Sequence, residues 1–395
     1  MAFGKIGEDV YSVGAIDWDR RLFDELIPLP DGTSYNAYIV RGSEKTALID
    51  TVDPTKTSEL LKNLAGLDLP SIDYLIVNHA EQDHSGSIPD ILEKYPGIKV
   101  VTNAKCAEFI KDLLEIQEDR ITTVQDRQTL SLGDKTLEFI ITPWVHWPET
   151  MITYLREDRI LFSCDLFGSH LASSDLIAKK DAKMLESAKR YYAEIMMPFR
   201  KMIGGHLEKI GELEVETIAA SHGPIYDDPG FIIDAYKEWI SDTVKNQVII
   251  AYVSMHDSTR KMVEHLTEKL IKKGVDVKPY NLTSTDVGDL AMATIDAATI
   301  ILATPTVLAG PHPTALYAAY LLKILRPKTK CMGVIGSYGW GGRTVEILKD
   351  VLDGLNADFL EPILIKGYPG ESELALIDGF ADKIVEKHGE YGLMG

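Results

Sequence analysis

The segment His79-Ala-Glu81-Gln-Asp83-His84 constrains this chain more than any other stretch of it. It follows a mostly apolar run, Ile72 to Val77, that reads as a buried strand, so its side chains fan out from a loop at a strand's end. Four ligand-type residues in six positions can close on metal only where the backbone aims them at a common point. Two imidazoles with two carboxylates make a mixed nitrogen and oxygen environment without thiolate. Such a set suits iron or manganese at least as well as zinc. The plainer alternative, a turn with exposed polar residues, does not account for this density of ligands.

Further ligand types each follow a strand-like apolar run. Leu137 to Val145 leads to His146, Ile160 to Cys164 leads to Asp165, and Thr217 to Ser221 leads to His222, after which Gly223 and Pro224 turn the chain away. Alone, each reads as a hydrogen-bonded turn residue. Taken together, the order HxExDH, H, D, H resembles the metallo-β-lactamase superfamily, whose metal loop reads HxHxDH. Glu81 stands where the zinc hydrolases carry a second His. That substitution is the mark of the flavodiiron proteins (A-type flavoproteins), and hard oxygen donors move the site from zinc toward a redox-active pair of irons.

At 395 residues, 45% of them apolar, the chain is long enough for two or three domains with full cores. A formal charge of −19 argues against nucleic acid as a partner, since phosphate binding needs a basic face. The start, Met1 to Asp9, has no long apolar core, and Asp296 and Pro305 interrupt the apolar stretch Leu290 to Gly310. That stretch is expected to be a buried strand with its loop rather than a membrane span. Cys106, Cys164 and Cys331 are dispersed with no CxxC pair, against disulfides, an iron–sulfur cluster or a fused rubredoxin module. The expectation is a soluble cytoplasmic protein.

Residues 1–245 alternate short strand-like runs with helical stretches such as Ser58 to Leu64 and Ser87 to Lys94, which suits an α/β, αββα sandwich with its ligands on strand-end loops. Near residue 245 the texture changes. Gln247 to Val253 is a β-favouring run typical of a parallel strand buried on both faces. Met262, Leu266 and Leu270 then recur every four residues, with Gly274 at the expected helix end. Residues 246–395 are therefore expected to form a second, doubly wound parallel sheet.

An open parallel sheet binds ligands at the carboxyl ends of its strands, so three loops should share one crevice. The first is Ser254, Met255, His256, Asp257, Ser258 and Thr259, whose hydroxyls and amides at a helix N-terminus suit a phosphate monoester. The second holds Thr304, Pro305, Thr306, Val307, Leu308, Ala309 and Gly310. The third, Gly336 to Gly342, includes Ser337; its glycines, Gly339 and Gly341 among them, allow close backbone approach while Tyr338 or Trp340 can lie against a flat ring. The arrangement resembles flavodoxin, with flavin mononucleotide (FMN) as ligand. Asp257 stands where a Gly is usual, and a carboxylate there should point away from the phosphate. Val307, Leu308 and Ala309 replace Asn residues common in relatives, which leaves mainly backbone contacts.

The resemblance to flavodiiron proteins spans essentially the whole chain. It implies a metallo-β-lactamase-like domain followed by a flavodoxin-like one. It also implies one iron on His79, Glu81 and His146, a second on Asp83, His84 and His222, and Asp165 bridging them. His84 is the least secure, because in some members its counterpart swings away. The family reduces dioxygen to water, nitric oxide to nitrous oxide, or both, with electrons passing through FMN from a small carrier. Rubredoxin or the reduced deazaflavin coenzyme is expected as donor, since no GxGxxG segment follows a strand. The family's head-to-tail homodimer, or a dimer of dimers, is expected too. His170 is expected near the pocket, Trp147 as part of its wall, and His206, His265 and His388 at the surface. Asp24-Glu25-Leu26 departs from relatives that carry His and aromatic residues there, which leaves the gas preference open. The competing reading is a zinc-dependent hydrolase fused to a flavodoxin-like module, and Glu81 discriminates against it.

Overall fold

The structure of the chain, a computed structural model, describes residues 3–394. Contacts divide it into two compact units, Met1–Tyr192 with Phe199–Ile240, and Ala193–Pro198 with Ser241–Gly395.

The first unit is an αββα sandwich, as the alternating pattern predicts. One sheet has seven strands, in the order Phe3–Gly7, Val10–Val13, Tyr38–Arg41, Thr46–Ile49, Tyr74–Ile76, Lys99–Asn103, Ile121–Val124. The other has five: Thr129–Ser131, Thr136–Ile141, Met151–Leu155, Ile160–Cys164 and Thr217–Ala220. Because side chains alternate along a strand, the first sheet is apolar on both faces. Ile39, Leu48, Leu75 and Val100 pack under Leu60, Ile88, Ile91 and Ile110 of the covering helices. Their chain neighbours Val40, Ile49, Ile76 and Val101 meet Leu137, Phe139, Met151 and Phe162 of the second sheet. Full burial of side chains of this size stabilises by roughly 1.5–3 kcal/mol each. A one-residue slip would exchange the side chains that meet the helices with those that meet the second sheet, so shape rather than polarity sets the register. That register delivers the candidate ligands to the strand ends.

The second unit is a parallel sheet in the order Asp276–Asn281, Lys245–Tyr252, Ala297–Val307, Cys331–Tyr338, with Asp358–Phe359 and Ile363–Lys366 both pairing with the last of these. In chain order this is 2-1-3-4-5, the flavodoxin-like arrangement. One face (Val248, Ile250, Ile301, Ile335) packs on Met262, Leu266, Ile377 and Phe380, and the other (Ile249, Leu302, Val334) on Ala319, Leu322 and Leu348. The sheet is thus doubly wound. The helix predicted from the Met262 periodicity runs Ser258–Lys272, and Gly274, at φ +79, follows its end.

Three local readings need correction. Leu290 lies in a short helix, Val287–Thr294, and the strand begins only at Ala297, because Asp286 caps that helix through Gly288 N. His206 and His388, read as surface residues, are 7% and 0% exposed. Each falls on its helix's buried stripe, with Ile203 and Ile210 in one case and Ile377, Ala381 and Ile384 in the other. Their polar sequence neighbours hide the 3.6-residue spacing. His265 is partly exposed and pairs with Asp378, and His312 caps the helix Pro313–Leu325. Among the described residues no helix is long and apolar enough to cross a membrane.

Candidate metal centre

The loop after Tyr74–Ile76 carries His79 and Glu81. Its second half is a helical turn, Gln82–Ser85, rather than open loop, with Glu81 as the residue before it. The turn presents Asp83 and His84 from a fixed backbone, held by Ser85 Oγ donating to Ala80 O at 2.6 Å and by Thr51 donating to His84 O at 2.6 Å. Asp165 follows a strand whose last residue, Cys164, has φ +53, and Phe167 has φ +71. Non-glycine residues in the left-handed region are uncommon, and this pair bends the chain sharply around Asp165. His222 is oriented by Nδ1 donating to Ser34 O at 2.7 Å. Gly223 after it has φ +80, and a Cβ there would meet Ser169 Oγ at 2.0 Å, so only glycine fits.

All seven side chains named from the sequence converge. They form two groups, His79, Glu81, His146 and Asp165, and Asp83, His84 and His222. In the first, Glu81 Oε2 lies 3.1 Å from His79 Nε2 and 3.0 Å from His146 Nε2. In the second, Asp83 Oδ1 is 3.3 Å from His84 Nε2 and Oδ2 is 3.1 Å from His222 Nε2. Asp165 joins them. Its Oδ2 lies 3.3 Å from His146 Nε2 and 3.6 Å from His79 Nε2, while its Oδ1 lies 3.1 Å from His84 Nε2 and 3.3 Å from His222 Nε2. Ligand atoms at roughly 2.0–2.2 Å from one cation and at right angles stand about 3 Å apart, so these separations match edges of two coordination shells. His84 points inward with the others.

The electrostatics also favour cations. Burial pushes the Asp165 carboxyl up, but the imidazoles of His84, His146 and His222 overcome this and hold it well below its usual range. Burial likewise opposes ionisation of Glu81, and hydrogen bonds from His146 and His79 reverse the effect. His146 and His222 resist burial through Asp165 and its fellow carboxylates and rise to about 9 and about 10. Both carboxylate oxygens of Asp83 and both ring nitrogens of His84 are buried without a hydrogen bond. Buried polar atoms left this way are costly unless something else satisfies them. Two cations between these groups would satisfy the Asp83 oxygens and His84 Nε2, and the donor set, four imidazoles and three carboxylates with no thiolate, fits iron.

The surroundings include residues the motif does not name. His170 sits behind His222, ring centroids 4.9 Å apart, with Nδ1 2.9 Å from Thr33 Oγ1; burial holds it well below its ordinary range, hence neutral. Trp147 stands edge-on to His79 at 5.1 Å. Asp24 occupies the tight turn between Leu22–Phe23 and Ile27–Pro28, with φ +49. Partial burial beside Glu81 and Asp83, with a hydrogen bond to Glu81, raises its carboxyl to about 6. Tyr191 and Glu149 were not foreseen. Tyr191 follows Met184 and Ala188 on a buried helical stripe, a legible signal, and donates to Asp165 Oδ1 at 2.8 Å. Glu149 accepts from His79 Nδ1 at 2.6 Å, and nothing in its local sequence marks it.

In the second unit a cavity of about 230 Å³ opens at the strand ends. Of the three predicted loops, Met255, His256, Ser258, Thr259, Pro305, Thr306, Ser337, Tyr338 and Gly339 line it, and Gly367, from a fourth strand-end loop, joins them. Ser254 stands outside that lining, its Oγ accepting from Arg260 N at 3.1 Å. Asp257 turns away to Arg260 at 3.2 Å, as a carboxylate beside an anion site should. Thr304 is buried and holds His312 N through its Oγ. Val307, Leu308, Ala309 and Gly310 form a tight turn projecting from the strand, with Leu308 91% exposed, and they do not line the cavity. Trp340 and Gly341 also stand outside the lining. Asp257, the residue before the helix Ser258–Lys272, makes no side-chain cap, and of the first-turn amides that of Arg260 is taken by Ser254 Oγ.

A buried pair of nitrogen- and oxygen-lined metal pockets on a lactamase-like sandwich, followed by a flavodoxin-like sheet, defines a binuclear metalloprotein with a nucleotide-binding module. The family described as "ODP family beta lactamase" matches residues 33–223. A nitric oxide reductase of Moorella thermoacetica is 36% identical over 362 residues, covering 90% of this chain and 90% of that protein. The rubredoxin-oxygen oxidoreductase of Megalodesulfovibrio gigas is 32% identical over 393 residues, 97% of this chain and 98% of its own. The crystal structure of the flavodiiron protein from Giardia intestinalis is similar with a TM-score of 0.92 and 29% identity, covering 99% and 98%. The chain belongs to the flavodiiron protein family.

Proposed function

We propose that this chain is an oxidoreductase that reduces dioxygen to water, nitric oxide to nitrous oxide, or both, at two irons, with electrons delivered through FMN. The observation that carries the reading is Asp165, whose two oxygens face two separate sets of imidazoles. His79, Glu81 and His146 would hold one iron and Asp83, His84 and His222 the other, with Asp165 shared. When bound, the irons and the flavin supply the electron storage and transfer that no side chain here can provide. The chain's own residues set the conditions. Asp165 offsets the repulsion between two cations held close, and Glu81 in place of an imidazole adds negative charge that favours ferric over zinc chemistry. Trp147 walls the pocket, and neutral His170 keeps His222 in place without adding positive charge. FMN would lie in the cavity of the second unit, its phosphate against Ser258 and Thr259 and its ring near Tyr338.

A separate small carrier is the proposed electron source. All three cysteines are buried, and none joins a group of ligand-type side chains among the described residues, in keeping with a donor outside the chain. Rubredoxin is the first candidate, in keeping with the name of the Megalodesulfovibrio gigas relative, and the reduced deazaflavin coenzyme the second. We propose a head-to-tail homodimer as the working assembly, each flavin serving its partner's irons, and residues 1–245 and 246–395 as the two functional modules. The test is direct. Protein from iron-replete cells should carry about two irons and one FMN per chain and consume dioxygen or nitric oxide with reduced rubredoxin. Stoichiometric zinc, or rapid oxidation of NADH by the chain alone, overturns the reading.

A further inference from the structure

The two halves of the metal centre are not equivalent beyond their ligands. Glu149 is 1% exposed, and its Oε1 accepts two hydrogen bonds, from His79 Nδ1 at 2.6 Å and from the Ala80 backbone N–H at 3.0 Å. Its Oε2 is buried with no partner. The carboxylate's position is set from its own backbone, where Glu149 O accepts from Asn103 Nδ2 at 2.5 Å. Asn103 is fixed in turn by capping the helix Ala104–Leu114 through Lys105 N and Cys106 N. On the other half, His222 Nδ1 meets only the neutral carbonyl of Ser34, and His84 Nδ1 has no partner. One imidazole of the centre is therefore backed by a full, poorly solvated negative charge, and those of the second group are not.

We propose that Glu149 is a positioning residue that makes the two metal sites electronically unequal, so that the iron on His79, Glu81 and His146 favours the ferric state more strongly than its neighbour. The inference rests on the proposed diiron function. The physical ground is twofold. A buried carboxylate hydrogen-bonded to a ligating imidazole fixes its ring orientation and makes it a stronger donor. An unscreened charge in a low-dielectric interior acts over several ångströms, and an extra electron on the adjacent iron is thereby disfavoured. With Asp165 shared, each iron would have one further carboxylate ligand; the buried Asp50 carboxylate is taken up by Asn78, whereas Glu149 hydrogen-bonds a ligating imidazole directly and so breaks the balance.

The test uses the iron-loaded, FMN-containing protein and two variants. In Glu149→Gln the amide oxygen still accepts from His79 and Ala80, so geometry is kept and charge is lost. Redox titration of the wild type, followed by the electron paramagnetic resonance of the mixed-valence pair, should give two separated one-electron steps. In Glu149→Gln the lower step should move up toward the other, shrinking the maximum mixed-valence signal while two irons stay bound. Glu149→Ala, which loses the orienting oxygen too, should release iron to a chelator more readily, by roughly 10- to 100-fold for one of the two equivalents. Unchanged step separation in Glu149→Gln overturns the inference and leaves the function standing. A wild-type chain that loads no iron overturns the function, and the inference with it.

Discussion

The phenol of Tyr191 donates to Asp165 Oδ1 across 2.8 Å, both groups buried, so the carboxylate shared by the two metal groups is held by the second unforeseen side chain as well as by its imidazoles. Tyr191→Phe removes this bond and keeps the ring's contacts with His170 and His222. A hydrogen bond to a charged group contributes about 1.5–3 kcal/mol. The variant should fold, and its unfolding free energy should fall by that amount, read as a lower urea midpoint with unchanged slope. An unaltered midpoint would show that water replaces the phenol at no cost.

Gly223→Ala should be among the more damaging single-methyl changes in the chain. The added Cβ would overlap Ser169 Oγ, and φ +80 is strained for any L side chain. The expected loss is about 1–3 kcal/mol. Because Ser169 N donates to His222 O, relief by backbone movement should also lower metal retention, read by elemental analysis after dialysis.

His388 gives the second unit an acid limit. Its Nε2 lies 2.8 Å from Thr299 Oγ1 and its Nδ1 2.7 Å from Asn246 Oδ1, and burial lowers its proton affinity below the ordinary histidine value. The unfolded chain therefore binds this proton more tightly than the folded one. The contribution of the neutral ring is fully present above about pH 6.5 and is lost as pH falls through the lower folded value. Melting followed from pH 7.5 downward should show a fall that His388→Gln flattens. Parallel curves for the two proteins would remove His388 as the cause.

Glu81→His makes the metal loop read as in the zinc hydrolases. The exchange removes a carboxylate that lies 3.0–3.1 Å from two imidazoles and supplies a neutral nitrogen donor. Metal preference should move toward zinc and gas reduction should cease, while the FMN stays bound because its cavity lies in the other unit. Full activity in the variant would mean that Glu81 does not ligate.

Much of the architecture is legible in the sequence because it is written in short-range patterns. Short apolar runs such as Tyr38–Arg41 and Thr46–Ile49 mark strands buried on both faces, the four-residue recurrence of Met262, Leu266 and Leu270 marks a helix's buried stripe, and burial drives the fold. The candidate ligands could be named because each follows an apolar strand, and a sandwich gathers strand ends along one edge. Two kinds of local feature are hidden. His206 and His388 were misread since a few polar neighbours obscure a helical stripe. The turn at Leu308 and Ala309 depends on two successive left-handed residues, φ +48 and +65, which neither side chain favours and a strand pairing imposes.

Glu149 marks the boundary between the two kinds of information. The residue types and their order along the chain specify a lactamase-like sandwich, a doubly wound sheet and seven metal-seeking side chains, because periodicity and strand-end placement are properties of neighbours in sequence. Which oxygen of Asp165 faces which imidazoles, and that Glu149 backs His79 from 70 residues away, follow only from the packing of two sheets and their loops. Distances of a few tenths of an ångström decide those contacts, and the chain acquires that precision only when its core closes.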